Sequence, residues 1–265
     1  MQVLMQSIHP AIQPSVHPST KPIHLSSHPS IHSFVCSFRH LVFFLFYLVA
    51  ISVPDPIALY PLNGKYKTRE INNRQPQGTP VGWSLEAGPD GEPCGSHRFS
   101  GQVNSYVQFP NNGGLDAQHS ITMLCWIYPE NTAGPLFSYK TSDLWGVHLW
   151  IVKPGKLFAR FMRRNYQFTP SLVTGQLKLK EWYYVGASYD NNTGNAVLWL
   201  NGQEVLQQNI GAGMTLATQD KDVRMGVKEG DSRYFKGRIT AMQIYDIALT
   251  AEQINKVNNA GRGRN

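Results

Sequence analysis

The sequence is short of charged residues, of cysteine and of helical periodicity. Asp, Glu, Lys and Arg make up only 15% of its 265 residues, and it has three cysteines. So little charge argues against long helices, and so few cysteines allow at most one disulfide. Apolar residues seldom recur with a period of 3.6, which argues against an all-helical protein.

Glycine, proline and aromatic residues are abundant instead. The chain has 23 Gly, 17 Pro, 12 Phe, 12 Tyr and 6 Trp. This balance favours turns and short strands around one aromatic core. The net charge is +7 without any nucleic-acid-binding motif. We therefore expect no nucleic-acid partner, and interpret the basic excess either as suited to an acidic glycan or anionic surface, or as an ordinary basic surface.

The first forty residues are of low complexity. Residues 8–32 carry a loose four-residue repeat that ends in Pro, and six of the nine His lie in residues 1–40. Recurrent Pro disrupts both helices and sheet ladders, so we expect residues 1–40 to be disordered rather than to bind a metal through their His residues.

A hydrophobic region follows at residues 41–52. Arg39 and His40 precede an apolar run, and Ala50 and Ser52 supply small residues before Val53. This is the pattern of a signal peptide, which predicts a secreted, extracellular protein. A longer reading over residues 34–53 gives the alternative, a type II membrane anchor; otherwise the mature form has no membrane segment.

Export bears on cysteine and on glycosylation. Cys36 would leave with the signal peptide, so that Cys94 and Cys125 remain, either as one disulfide or as free thiols with Cys125 buried in an apolar strand. Asn191 begins an Asn-Asn-Thr sequon in a turn-rich stretch and is therefore a candidate N-glycosylation site.

The body of the chain predicts strands. Short apolar runs alternate with Gly, Asn, Asp and Pro, which is typical of an antiparallel sandwich. The runs cover residues 57–62, 106–109, 120–128, 136–139, 146–152, 157–163, 182–189, 196–200, 223–227 and 237–245. A single short helix is expected from Thr250, an N-cap, to about Val257.

Three turns define hairpins. Residues 190–195 join two strands, and Asn201-Gly202 makes a tight turn into residues 203–206. Residues 153–156, Lys-Pro-Gly-Lys, fit a type II turn. That turn would pair Trp150 with Ala159 and His148 with Phe161.

The order of these segments resembles the laminin G-like and pentraxin-like branch of the concanavalin A-like superfamily, over residues 57–257. The best-matched pieces are residues 99–101 with 106–107, 121–129, 181–190, 198–202 and 234–239 with 244–250. The resemblance implies an all-β, two-sheet antiparallel jelly-roll sandwich with one short C-terminal helix. The Gly-rich residues 258–265 that follow are expected to be a flexible tail. Trp126, Trp182 and Trp199 are expected to be core or near-core residues.

Catalysis is not expected. The wider superfamily includes glycoside hydrolases, which need two carboxylates beside the sugar, commonly spaced as Glu-x-Asp-x-x-Glu. That spacing is missing. The acidic cluster most similar to it, Glu229-Gly230-Asp231, is predicted to lie in a loop. The His-x-Cys-x-Ser/Thr-Trp signature of pentraxins is missing as well, so their disulfide and ring assembly are not implied.

Calcium is the cofactor that the resemblance raises, because many relatives hold it with loop oxygens. Asn63 and Thr240 stand where relatives often have Asp, which weakens the site. Asp116, Asp143 and Asp231 lie in predicted loops, where a turn-capping or solvated acid is the ordinary interpretation.

The hairpin over residues 145–164 is the candidate ligand surface. The pairing above puts His148 and Trp150 on one face with Arg163, and Arg160 on the other. A ring that stacks on a sugar, beside cationic and imidazole donors, suits a glycan. The alternative is that Trp150 and Phe161 are core residues and the arginines are solvated.

We therefore predict a secreted, non-catalytic recognition module that binds a glycan or a matrix or cell-surface protein. The alternatives are a structural extracellular domain without a sugar site and a glycoside hydrolase. The oligomeric state is not predicted.

Overall fold

The computed structural model describes residues 51–141, 144–219 and 222–260. The low-complexity repeat, nearly all of the hydrophobic region 41–52 and the end of the tail lie outside the described residues. No helix in the described part of the chain is long and apolar enough to cross a membrane.

Short strands form nearly all of the regular structure. Their bounds are β1 Ala58–Tyr60, β2 Thr79–Val81, β3 Ser84–Glu86, β4 Ser96–Ser100, β5 Tyr106–Phe109, β6 Ile121–Pro129, β7 Gly134–Thr141, β8 Leu144–Val152, β9 Lys156–Arg160, β10 Leu172–Gln176, β11 Tyr183–Tyr189, β12 Asn195–Leu200, β13 Gln203–Asn209, β14 Val223–Met225 and β15 Lys236–Tyr245. One helix, α1, spans Ala251–Ala260.

The strands build two antiparallel sheets. Sheet A has the order β13-β12-β11-β6-β15-β4-β3, with β1 also paired to β15, and sheet B has the order β10-β9-β8-β7-β14-β5-β2. The prediction of an all-β, two-sheet sandwich with one short helix is confirmed. The hydrophobic core contains inward side chains of both sheets, such as Val185 of β11 and Leu149 of β8.

Local turn chemistry explains two hairpins as predicted. Residues 190–194 connect β11 to β12, and Asn201 and Gly202 connect β12 to β13 with φ values of 52° and 81°. Two successive positive φ angles define the type I′ turn, which Asn-Gly favours.

The helix begins as predicted and ends later. Thr250 Oγ1 accepts a hydrogen bond from the backbone N–H of Gln253, and Gln253 Oε1 accepts one from the backbone N–H of Thr250. This reciprocal pair is a capping box. The apolar side of α1, with Ile254 and Val257, packs on the outer face of sheet A.

Two of the three tryptophans expected in or near the core, Trp126 and Trp199, lie beneath this helix rather than between the sheets. Trp199 is buried in the cluster that contains Ile254, and Trp126 packs against the same cluster. The helix therefore covers the outer face of sheet A at this cluster.

Candidate functional site

A pocket of about 320 Å³ opens on the outer face of sheet B. Strands β8 and β9 supply most of its wall, and the segments after β9 and before β15 supply the rest. Its lining residues are Trp145, His148, Trp150, Val152, Phe158, Arg160, Phe168 and Arg233. We call it the aromatic pocket.

The register of the β8–β9 hairpin decides which residues reach this pocket. Trp150 is paired with Phe158 and His148 with Arg160, so the predicted pairing with Ala159 and Phe161 is wrong. Three residues, 153–155, connect the Val152–Lys156 pair where a two-residue turn was expected. A slip of one residue moves side chains to the opposite face, because neighbouring residues of a strand point to opposite sides.

This correction brings Arg160 to His148 and Trp150 and removes Arg163. Arg160 was expected on the opposite face, yet it lines the aromatic pocket. Arg163 lies beyond the end of β9, where it forms a bridge with Leu216 and its guanidinium approaches Gly211. Arg163 is therefore not among the residues that line the aromatic pocket.

Trp150 and Phe161 were expected to be either ligand-facing or core residues, and the structure places them on different faces of sheet B. Phe161 belongs to the core between the sheets, whereas Trp150 is absent from that cluster although it is only 1% exposed. Neighbouring rings and Arg233 cover Trp150 on the outer face, and its Nε1 donates to Ser138 Oγ at 2.7 Å. Trp150 is thus the floor of the aromatic pocket rather than an open stacking surface.

His148 is also buried, at 3% exposure. Its Nδ1 lies 2.7 Å from the Gly146 carbonyl oxygen. A carbonyl only accepts, so Nδ1 carries the proton of the neutral ring and Nε2 is an acceptor. Burial, together with the nearby cations Arg160, Lys228 and Arg233, lowers the pKa of His148 to about 4, against the opposing effect of the Gly146 hydrogen bond. The ring is therefore neutral at pH 7.

Exposed rings supply the surface that a ligand could touch. Phe168 is 64% exposed, and Trp145 is partly exposed above the buried pair His148 and Trp150. Arg160 lies between Phe158 and Phe168, with its guanidinium carbon 5.5 and 5.3 Å from the two ring centroids. These contacts hold a cation and two rings at one wall of the pocket.

Arg233 lines a second part of the aromatic pocket, beside the Trp150 ring. Asp231 accepts two hydrogen bonds from its guanidinium, at 2.9 and 2.6 Å, and the guanidinium lies 4.6 Å from the Trp150 ring centroid. Hydrogen bonding to Asp231 raises the pKa of Arg233. Burial opposes ionisation of Asp231, but its hydrogen bonds with Arg233 outweigh burial and lower its pKa. The pair is thus charged at pH 7.

The loop acids that were weighed for calcium bind other residues or lie outside the described part. Asp116 accepts hydrogen bonds from Arg164 and Thr218, and Asp231 binds Arg233; Asp143 lies outside the described residues. Asn63 and Thr240 line one pocket of about 100 Å³. Within residues 51–141, 144–219 and 222–260, no three His, Cys, Asp or Glu side chains come together as a metal site.

The two described cysteines are free thiols, which corrects the disulfide alternative. Cys125 is buried in the core, where burial raises the pKa of its thiol, and Cys94 is exposed on a loop beside Gly64. Asn191 lies in the β11–β12 turn and is partly buried. Its backbone N–H donates a hydrogen bond to Ser120 Oγ.

Phe168 and Arg233 were not identified from the sequence, because they lie outside the β8–β9 hairpin and reach the aromatic pocket only in the folded protein. Arg233 precedes β15, and Phe168 follows β9 in a loop. Phe168 carried a usable signal, since an aromatic residue among the polar residues of a loop is a candidate contact. Arg233 carried none, because its approach to Trp150 depends on tertiary structure.

Comparison with known proteins supports the architecture. The model of a family described as the concanavalin A-like lectin/glucanases superfamily matches residues 100–255. No curated protein sequence matches the chain.

Three solved structures illustrate the likeness. The binding domain of Paraclostridial Mosquitocidal Protein 1 is 14% identical, with a TM-score of 0.62, over 78% of this chain and 52% of that one. The botulinum neurotoxin serotype D ligand binding domain in complex with N-acetylneuraminic acid is 16% identical, with a TM-score of 0.61, over 78% and 51%. Domain 4 of AbnA, a GH43 extracellular arabinanase from Geobacillus stearothermophilus, in complex with arabinotriose, is 18% identical, with a TM-score of 0.56, over 78% and 99%.

These likenesses concern the fold. This chain spans about half the length of the first two of these domains but almost all of the arabinanase domain.

Proposed function

This chain belongs to the concanavalin A-like lectin/glucanases superfamily, and from that premise we propose that it is a secreted, non-catalytic module that binds carbohydrate in the aromatic pocket. The module is taken to span residues 57–257. The observation that carries the proposal is the combination, in one pocket, of partly exposed rings with two guanidinium groups.

The chemistry of the pocket fits a sugar. An exposed ring such as Phe168 can cover the apolar face of a pyranose, while Arg160 and Arg233 can donate hydrogen bonds to its oxygens. His148 Nε2 is an acceptor for a hydroxyl group. The solved domains of similar fold that were crystallised with arabinotriose and with N-acetylneuraminic acid support the same class of ligand.

The same pocket argues for binding without hydrolysis. Glycoside hydrolysis generally needs two carboxyl groups on either side of the scissile bond. Among the described residues that line the aromatic pocket, none is Asp or Glu. Asp231, which lies beside the pocket, already accepts two hydrogen bonds from the Arg233 guanidinium.

A glycan array tests the proposal. The folded chain is expected to bind a subset of glycans, with signals for acidic glycans that fall as salt rises, because salt screens exposed charges. The array is run at low and at moderate ionic strength on protein whose circular dichroism shows β structure. An array on which no glycan rises above background would refute the proposed function.

Substitutions in the aromatic pocket give a quantitative test. We expect Arg160→Gln to weaken glycan binding about 30-fold and Phe168→Ala about tenfold, which corresponds to about 2 and 1.4 kcal/mol at a contact of this kind. Isothermal titration with the best array glycan measures both.

The matched controls remove the same chemistry elsewhere. Arg69→Gln removes an exposed arginine from the loop between β1 and β2, and Leu179→Ala removes an exposed apolar side chain. Both should bind like the wild type. Equal weakening by the controls would show that the pocket is not the site.

Secretion and glycosylation at Asn191 form a separate expectation of the proposal. When the full chain is expressed in eukaryotic cells, it is expected in the medium, with a mass that falls on treatment with an N-glycosidase and falls equally in Asn191→Gln. The matched variant Asn192→Gln keeps the sequon and should keep the glycan. Protein retained with the membrane fraction would favour the anchor over residues 34–53 instead.

A further inference from the structure

Five side chains from five strands form one line across the outer face of sheet B. Gln108 of β5 is paired with Arg224 of β14, which is paired with Ser138 of β7; Ser138 is paired with His148 of β8, which is paired with Arg160 of β9. Directly paired residues of antiparallel strands point to the same side of the sheet. We call this line the polar row.

The polar row separates two arginines by a defined distance. Three strand spacings lie between Arg224 on β14 and Arg160 on β9, so their Cα atoms are about 14 Å apart at roughly 4.8 Å per spacing. This is more than one sugar ring spans. A ligand that contacts both arginines must therefore be an oligomer that lies across the strands.

A second pocket lies at the Arg224 end of the polar row. It has a volume of about 540 Å³ and brings together a ring, Tyr106, and two cations, Arg224 and Lys228. The Arg224 guanidinium lies 4.3 Å from the Tyr106 ring centroid and donates to Gln108 Oε1. The second pocket thus repeats the pairing of ring and arginine seen at Arg160 and Phe158.

The segment before β15 joins the two pockets. Lys228 lines the second pocket, while its Nζ lies 4.3 Å from the Trp145 ring centroid of the aromatic pocket. Asp231 lines the second pocket and binds Arg233 of the aromatic pocket. The two pockets are consecutive parts of one surface.

Cations outnumber acids on this surface, by four to two among the residues that line the two pockets. Arg160, Arg224, Lys228 and Arg233 lie along it, and Arg160 and Arg224 each keep a buried Nε without a hydrogen-bond partner. Two acids, Glu229 and Asp231, also line the second pocket; Asp231 binds Arg233, and Asp222 nearby accepts a hydrogen bond from Gln108. Three of these cations, Arg160, Lys228 and Arg233, help to lower the pKa of His148.

We propose that the outer face of sheet B binds a repeating acidic polysaccharide along the polar row, with acid groups at Arg160 and at Arg224, rather than a single terminal sugar. This inference rests on the proposed carbohydrate binding and names the ligand class. The shared chemistry is an acid group on successive sugars, either a carboxylate or a sulfate, and each is well matched by arginine.

Chain length of the ligand is the primary test. Oligogalacturonides supply carboxylates and heparin-derived oligosaccharides supply sulfates; each is titrated as disaccharide, tetrasaccharide and hexasaccharide into the full chain. Affinity for the matching series is expected to rise at least tenfold from disaccharide to hexasaccharide, since the second contact becomes intramolecular. The series that shows this rise identifies the acid group.

Two arginine variants locate the effect on the surface. Arg224→Gln should weaken the hexasaccharide about tenfold and leave the disaccharide within twofold, because only the longer ligand reaches the second pocket. Arg160→Gln should weaken both. Arg69→Gln, away from the polar row, should change neither, and thermal unfolding of each variant checks that it is folded.

The outcomes separate this inference from the proposed function. Binding that depends on Arg160 but not on ligand length or on Arg224 would overturn the repeating ligand and keep a sugar site. No binding of any glycan would overturn both. Binding of a single-stranded oligothymidylate as tight as that of the hexasaccharide would show an unspecific polyanion surface and overturn the ligand class.

Discussion

Lowering the pH from about 7.5 to about 4.5 is expected to remove roughly 5 kcal/mol from the free energy of unfolding. Two buried histidines are the cause. Burial lowers the pKa of His97 and of His148 to about 4 in the folded protein, against an ordinary value of 6.5. The unfolded chain therefore binds more protons than the folded one between these values, so stability falls as the pH falls from about 6.5 to about 4.

Each histidine accounts for about half of this loss at a pH near 4.5. The carboxyl groups with lowered pKa values, Asp116 and Asp231, act in a different window. Their pKa values lie below 3.8, so the stability that they contribute is lost only in stronger acid. Urea unfolding at a series of pH values measures the slope.

His97 offers the sharper variant. Both of its ring nitrogens are buried without a hydrogen-bond partner, and its ring stacks on Trp83 at 5.0 Å and contacts Phe99 at 5.5 Å. His97→Phe keeps a ring between these neighbours and removes the titrating group, so the pH-dependent loss should fall by half. His119→Gln, at an exposed histidine, is the control. Stability that stays level between pH 7.5 and 4.5 would contradict the burial of both histidines.

Trp150→Ala is expected to lower the free energy of unfolding by about 3–5 kcal/mol, the usual range when a large buried ring is removed. The side chain is 1% exposed and packs against Trp145 and Arg233 on the outer face of sheet B. Its loss leaves a cavity in the floor of the aromatic pocket and removes the hydrogen bond that Trp150 Nε1 donates to Ser138 Oγ. Denaturant titration measures the change.

A pair of variants separates packing from hydrogen bonding at this position. Trp150→Phe keeps a ring but leaves the buried Ser138 oxygen without its donor, at a cost of about 1–3 kcal/mol. Adding Ser138→Ala removes that oxygen and should recover part of the loss. Val173→Ala, at an exposed residue of β10, should stay within about 0.5 kcal/mol of the wild type. A Trp150→Ala protein as stable as this control would mean that Trp150 is not packed in the floor.

Strands with little local signal were not predicted. Strand β2 has Pro80 at its centre, β3 has only three residues, and β10 includes Gly175. Strand β4 was recognised only as a matched piece around Phe99. Such segments become strands because neighbouring strands satisfy their backbone groups, which is a property of the sheet rather than of the segment.

What the amino-acid sequence determined by itself was local. Alternating apolar residues and turn residues specify the sandwich, Asn201-Gly202 specifies its hairpin, and Thr250 with Gln253 specifies the start of the helix, because each depends on residues within a few positions of one another. The tertiary structure alone decided the site. The β8–β9 register placed Arg160 beside His148, and the order of the strands placed Arg224 in line with them. A one-residue difference in a connecting loop turns every side chain of a strand over, and strands far apart in the chain become neighbours only in the folded sheet.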